Sequence, residues 1–337
     1  MSMVAMIIDF SERIDDFLEE KVPINEILFD YYLNWLPFMN AVLFPLYALI
    51  AVVFFTSRMA SNSEIISILN SGASFSRIMR PYLISAAVLA TIQYMGNHYI
   101  IPRANKTKVA FENTYVAKHD KDSRFQDVHV FIDTSTKVFV RYYNKLDSVG
   151  HGFTMESIKD GVLIGKLHAD IIRWNPDKRN WKLENYNIRK IDGLRESFTK
   201  GKNMDTTINL VPSDFERRDN MKSTMITSEL LAFIERERQR GSGSYVSYRV
   251  EHHRRNSDPV SIFILTIIGM AIAARKVRGG IGIHLAKGIV TGALFIVCMR
   301  LSMTLSTNSG LHPFLGAWTP NVIFSLVAWW FVRNAQK

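Results

Sequence analysis

Glu64 and Arg300 are the residues whose type and setting most suggest chemistry. Ser61-x-x-Glu64 has the spacing of a capping box, in which the carboxylate closes back on the start of a helix and contributes about 1 kcal/mol. The other reading has Glu64 meet an arginine of a separate subunit, a charge-assisted bond of about 1.5–3 kcal/mol when shielded from water. Arg300 stands inside an apolar run shortly before Ser306, where a charge is either functional or snorkels to the membrane surface. Nothing assembles a catalytic centre. Gly201-Lys202 lacks the spacing and the hydroxyl neighbour of a phosphate loop, and no His-Glu-x-x-His pattern occurs. His252-His253 sits among arginines that would repel a cation. No cofactor or metal site is expected, and the chain reads as a non-enzyme.

Glu64 lies in a polar island, Ser57 to Arg80, between two apolar runs, Tyr31 to Ser57 and Pro81 to Pro102, neither of which holds a charged residue. About 20 apolar residues suffice to cross a bilayer as a helix, so each run is long enough to span. Arg58, Arg77 and Arg80 place the island in the cytoplasm. Within it, Asn62 to Ala73 reads as a short amphipathic helix with Ile65, Ile66, Ile68 and Leu69 as its apolar stripe. A small apolar helix held out from a membrane suggests a partner.

The 337 residues carry 41 Lys and Arg against 31 Asp and Glu, a net charge of +10, and location matters more than size. Basic residues concentrate in Arg58–Arg80, Arg275–Lys287 and Arg333–Lys337, whereas Asp9 to Asp30 is acidic. That asymmetry is the positive-inside pattern of a multi-pass protein, and it displaces nucleic-acid binding as the reason for the charge. With one cysteine, Cys298, no disulfide forms within the chain.

Met1 to Ile8 is too short to span and has no signal-peptide pattern; it reads as the outer end of a spanning helix, continued by an acidic amphipathic helix over Asp9 to Lys21. Pro37 and Pro45 in the first complete span are tolerable where neighbours satisfy the freed carbonyls. Residues 103–256 are polar and read as β. Val128–Asp133, Lys137–Asn144, Val162–Trp174 and Trp181–Ile191 are the predicted strands of an antiparallel sandwich or open roll. Leu167, Ala169 and Ile171 alternate with Lys166, His168 and Asp170, which predicts that the first three face inward. Asn175-Pro176-Asp177 predicts a hairpin turn, and a phase slip between Leu183 and Tyr186 predicts a bulge. A helix over Ser228–Arg240 stops at Gly241, and Gly241–Ser244 is a joint. Three spans follow: Pro259–Ala274 inward, Ile283 to Ser306 outward, and Pro313–Val332 returning.

Ser57-Arg58-Met59, Ser63-Glu64-Ile65-Ile66, Gly72 and Pro81, within paired blocks of spans around a β domain, resemble the LptF/LptG (YjgP/YjgQ) lipopolysaccharide-export permeases over essentially the whole chain. The resemblance implies an α+β membrane protein: about six spans, the first truncated, flanking a periplasmic β-jellyroll-like domain. Its divisions would be a membrane block over 1–106 with a coupling helix at 62–73, a jellyroll over 107–222, a connecting helix and linker over 223–256, and a second membrane block over 257–337. Glu64, Ile65, Ile68 and Leu69 would dock an LptB-like cytoplasmic ATPase dimer, which supplies the hydrolysis. The other implied partners are a paralogous permease subunit, an LptC/LptA-like periplasmic jellyroll protein and lipopolysaccharide, in the inner membrane of a Gram-negative bacterium. Arg13, Lys21, Arg103 and Arg300 are lipid-contact candidates by position, and Leu167 and Ile171 are candidates for a greasy groove in the β domain. The family's first span is complete, whereas here only Met1 to Ile8 stands for it, the start being either mis-assigned or shortened. A membrane-anchored periplasmic scaffold, or a permease for another lipid or for lipoprotein, are the rival readings.

Overall fold

The computed structural model describes residues 2–116, 124–144, 147–159, 161–193, 195–212, 215, 221–241, 245–277 and 280–335. Helix α1 (Ser2–Glu19) leads through a turn at Lys21 into a helix that starts as α2 (Ile24–Glu26), passes a π-helical stretch at Ile27–Tyr32 and continues as α3 (Leu33–Ser61). The short α4 (Glu64–Asn70) turns the chain back into α5 (Phe75–Met95). Pro102 has no N–H for the carbonyl of His98, and the ladder shifts there to π spacing over Gly96–Ile100 instead of breaking. The helix therefore runs on past Pro102, the expected end of the span, as α6 (Ile101–Phe111), which carries Arg103, Lys106 and Lys108.

After the β domain come α7 (Thr227–Gln239), α8 (Tyr245–Ala273), α9 (Gly280–Asn308) and α10 (Pro313–Ala335). The expected boundary at 256/257 falls inside α8. Its polar first half is helical because Glu251, Arg254, Arg255 and Asp258 stand at i,i+3 and i,i+4 spacings and pair along one face. Of the joint expected at 241–244 only Gly241 lies among the described residues, and Arg278 and Lys337 lie outside them. Among the described residues four helices are long and apolar enough to cross a membrane: Ile24–Ser61, Tyr245–Ala273, Gly280–Asn308 and Pro313–Ala335. Helix α5 is not one of the four, because Arg77, Arg80 and its polar Ser, Thr and Gln dilute the apolar run, yet Ala86 and Ala90 pack it against Ala48 of α3 and Ile262 of α8.

The central helices approach closely through glycine. A Cβ at Gly292 of α9 would fall 2.3 Å from Leu46 Cδ1 of α3, one at Gly288 3.1 Å from Val53, and one at Gly269 of α8 2.9 Å from Leu49. Small residues that bring backbones together are what holds helices in lipid, where burial of apolar surface gives no advantage. Prolines are handled with the same economy. Pro45 leaves the Ala41 carbonyl without its helical donor, and Gln93 Nε2 of α5 donates to it at 3.0 Å. Pro259 does the same to Arg255, and Asn97 Nδ2, one turn beyond Gln93, donates to that carbonyl at 3.4 Å.

The β domain is one six-stranded antiparallel sheet in sequential order, β1 (Arg124–Phe131), β2 (Thr136–Asn144), β3 (Val149–Lys159), β4 (Val162–Asn175), β5 (Asn180–Asp192) and β6 (Arg195–Thr206). Of the two expected forms it is the open one: no second sheet faces it among the described residues. Strands β3 and β6 escape a sequence reading, β3 because its glycines interrupt the alternation and β6 because it is an exposed polar edge. The predicted β4–β5 hairpin is present, with Asn175 Oδ1 accepting from the N–H groups of Asp177 and Lys178.

A crease crosses the sheet. Asp127, Gly152 and Asn185, on alternate strands, take φ of +50°, +67° and +52°. Register is the same on both sides of them, so no bulge interrupts the ladder near Leu183–Tyr186; the recorded register shift lies at Ser157/Ile158. The inward phase nevertheless slips by one residue at the crease. Leu167 and Ala169 face the core, and the next core residue of β4 is Ile172, fully buried, whereas Ile171 is only half-buried and outside the apolar cluster. Gly150 makes the room: a Cβ there would stand 2.7 Å from Ile172 Cγ2. The expectation that Ile171 points inward is thus corrected. The apolar face is also covered. Leu210 and Phe215 lie across it, with Trp181 Nε1 donating to the Leu210 carbonyl at 2.8 Å and Phe215 stacked on Tyr143 at 4.8 Å.

Candidate functional site

A cavity of about 360 Å³ opens between the first turns of α3, the first half of α8 and the last turns of α9, with Lys222 and Ser223 at its edge. One wall is apolar, formed by Pro45, Phe295, Met299 and Met303, and the other is charged. Arg254 grips both acidic residues of that wall, Nη2 and Nε at 2.9 Å from the two Glu251 oxygens and Nη1 at 2.7 Å from Asp258. Its partners fix it, since a paired guanidinium with bidentate geometry has little freedom left. Lys222 and Arg300 join Arg254 on the lining, so three cations face two carboxylates. An apolar wall beside a net positive one suits a molecule with an anionic head and hydrocarbon chains.

Behind this wall Arg255, 1% exposed, acts as a tie. Its Nε donates to Glu251 at 3.1 Å, Nη1 to Thr227 Oγ1 at 3.3 Å and Nη2 to the Lys222 carbonyl at 3.0 Å. Thr227 also contacts His98 Nδ1 at 2.8 Å. The outlet of the β domain, the start of α7, the π-helical turn after α5 and the first half of α8 are therefore joined through one buried guanidinium. Loss of one partner from such a network leaves an uncompensated charge, at about 3–5 kcal/mol.

At the other end of the same helices stands α4. Ser63 takes φ +66°, reversing the chain after α3, and its carbonyl and hydroxyl are held by Ser67 N and Lys276 Nζ, both at 3.1 Å. Ser63 rather than Ser61 precedes the helix, so the predicted capping box does not form; Glu64 instead accepts from Asn62 Nδ2 at 3.1 Å. Gly72, at φ +86°, ends the turn that follows. Ile65 is 1% exposed and anchors α4 against Phe75, Met79, Met270 and Ala274. Ile66 and Leu69 point outward at 43% and 39% exposure, Ile68 is half-buried, and Glu64 is exposed with no ion pair among the described residues. Ile65 thus belongs to the fold's own packing, and Ile66 takes its place on the outward face.

Of the four cations singled out by position, only Arg300 reaches the cavity. Arg13 is held elsewhere, 3.2 Å from Asp9, 3.4 Å from Glu112 and over the Tyr31 ring. Burial works against its charge, but Tyr31, Asp9 and Glu112 outweigh it and raise the guanidinium above its ordinary value. Lys21 lies in the turn after α1 and Arg103 is exposed on α6, neither on the cavity wall. Leu167 is in the sheet core under the covering segment. Arg254 and Lys222 were missed. The signal for Arg254 was present in Glu251-x-x-Arg254-x-x-x-Asp258, whose spacing places three charges on one helical face; Lys222 carries no such signal.

Residues 1–334 match the family described as lipopolysaccharide export system permease LptF/LptG. The chain is also similar to the lipopolysaccharide export system permease protein LptG of Haemophilus influenzae, 22% identical over 304 residues, which cover 87% of this chain and 82% of that protein.

Proposed function

Because this chain belongs to the lipopolysaccharide export permease family LptF/LptG, we propose that it is the membrane half of an ATP-driven exporter that draws lipopolysaccharide from the outer leaflet of the inner membrane. The lipid's phosphates meet Arg254, Arg300 and Lys222 at the cavity, and its acyl chains lie along Phe295, Met299 and Met303. A separate ATPase dimer engages α4 through Glu64, Ile66 and Leu69. Its closure pushes on α3 and α8, which bear α4 at one end and the cavity at the other. The released lipid passes to the β domain, and from its sheet to a similar fold on a periplasmic partner. A paralogous permease completes the cavity's open side.

The observation that supports this reading is the placement of α4 and the charged cavity on the same two helices. Met270, against Ile65, and Arg254, on the cavity wall, are about 24 Å apart along α8 at 1.5 Å per residue. The basic residues near α4 support a cytoplasmic position for that end, and with it a periplasmic β domain.

Glu64→Arg tests the lever. The variant should insert normally, lose its co-purifying ATPase and lose export, because a cation replaces an unpaired carboxylate on the outward face. Photo-crosslinkers at Arg300 and Met303 test the cargo and should capture lipopolysaccharide. Survival of both association and export in Glu64→Arg sinks the lever; capture of periplasmic protein alone turns the reading toward a scaffold.

A further inference from the structure

A second cavity, of about 550 Å³, lies at the α4 end of the bundle between α8, α9 and α10, far from the site above. Its walls are apolar, with Ile272, Val290, Trp330 and Phe331, and Val290 and Trp330 are 57% and 56% exposed, so the groove opens sideways off the bundle. Two cations, Arg275 and Lys287, line it, and among the described residues no carboxylate does. Arg275 is fixed in place by donating to the Asn334 carbonyl in the last turn of α10. Lys287 has no acidic partner among the described residues. It stands about 10 Å into α9 from Gly280, in the half of the helix opposite Arg300, and its stem carries the ammonium back toward the level of Arg275. Next to Asn334 on α10, Arg333 lies over the Trp329 ring at 5.4 Å, adding a third cation near the end of that helix.

We propose that this groove binds an anionic phospholipid of the leaflet at the α4 end, its phosphate between Arg275 and Lys287 and one acyl chain along Val290 and Trp330. Charge complementarity selects this occupant: basic pockets between spanning helices on the cytoplasmic side hold anionic headgroups, whereas a zwitterionic lipid carries a cation of its own that opposes the attraction. The lateral opening admits a chain from the bilayer. A lipid so placed packs between the ends of α8 and α9 beside α4, which Ala274 and Met270 also support. The inference takes only the membrane orientation from the function proposed above, and not the cargo.

The test is the full-length chain in nanodiscs of phosphatidylcholine alone or with one fifth phosphatidylglycerol, with retained lipid counted by native mass spectrometry and the unfolding midpoint followed by heat. Wild type should retain phosphatidylglycerol in preference to phosphatidylcholine and unfold later with it. Lys287→Gln, at an exposed side chain, should weaken that retention about fivefold, the worth of one basic residue near an anionic surface. Lys287→Arg should restore it, and Lys276→Gln, which removes an equal charge from the amine held by Ser63, should leave it unchanged. Equal retention in wild type and Lys287→Gln overturns the proposal, as does no preference between the two lipids or a groove found covered by a second permease chain. None of these results depends on export, so failure here and failure of the transport reading are told apart.

Discussion

Removal of the Gln93 amide should destabilise the chain only while Pro45 is present. Pro45 leaves the Ala41 carbonyl without a helical donor inside the bundle, and Gln93 Nε2 fills the vacancy at 3.0 Å. Gln93→Met keeps length and volume and removes the donor. An orphaned buried carbonyl costs about 1–3 kcal/mol, while single interhelical hydrogen bonds within membranes average about 0.6 and reach about 1.7 kcal/mol. Gln93 Oε1 has no partner among the described residues, so the substitution also removes one unsatisfied acceptor and recovers part of the loss. The net cost should be about 1 kcal/mol. In a Pro45→Ala background the residue 45 N–H returns to the Ala41 carbonyl, and Gln93→Met should then cost close to nothing. Unfolding of the four proteins in detergent, by heat or by denaturing detergent, gives the cycle. An identical cost in both backgrounds would falsify the compensation. Asn97→Leu should behave similarly toward Pro259 with a smaller effect, because its contact is longer, at 3.4 Å.

Gly292→Leu should lower stability by about 1–3 kcal/mol through overpacking, since even its Cβ meets Leu46 at 2.3 Å, and Leu46→Ala should restore part of the loss in the same unfolding assay. Trp181→Phe should release the segment across the sheet at a cost of about 1–3 kcal/mol, because the Leu210 carbonyl loses its donor at 2.8 Å; faster proteolysis around residues 207–211 is the readout. Asp133, at the β1–β2 turn, is held below its ordinary 3.8 by the Ser135 hydroxyl and then by the Ser135 N–H. Its small contribution to the turn is therefore complete at neutral pH and is lost as pH falls through the depressed folded value; an NMR titration should show a midpoint below 3.8 that Ser135→Ala raises.

The apolar runs bounding Ser57–Arg80 were legible as helices because length and lack of charge are properties of a stretch by itself. The central β lobe, its β4–β5 hairpin and the small helix at Glu64 were legible for the same reason, through local alternation and turn chemistry. Pro102 was misleading: its ring does stop an ordinary helical ladder, but a shift to π spacing carried the chain through to Phe111. Ile171 misled in a similar way, since perfect alternation on one strand cannot reveal a crease set by Gly152 and Asn185 on the strands beside it.

What the sequence alone determined is the alternation of greasy and polar stretches, and hence the membrane class, the β lobe between two helical blocks and the exposed rod near Glu64. Tertiary structure decided which arginine serves which purpose. Arg13 is locked against Asp9 and Glu112, Arg255 ties four segments together, and Arg254 faces the cavity with Arg300. These outcomes depend on partners such as Asn97 and Arg255, 158 positions apart, brought together only by helix packing. Burial per residue is written in local periodicity, whereas the pairing of a charge or a freed carbonyl is settled by whatever the packed neighbour presents.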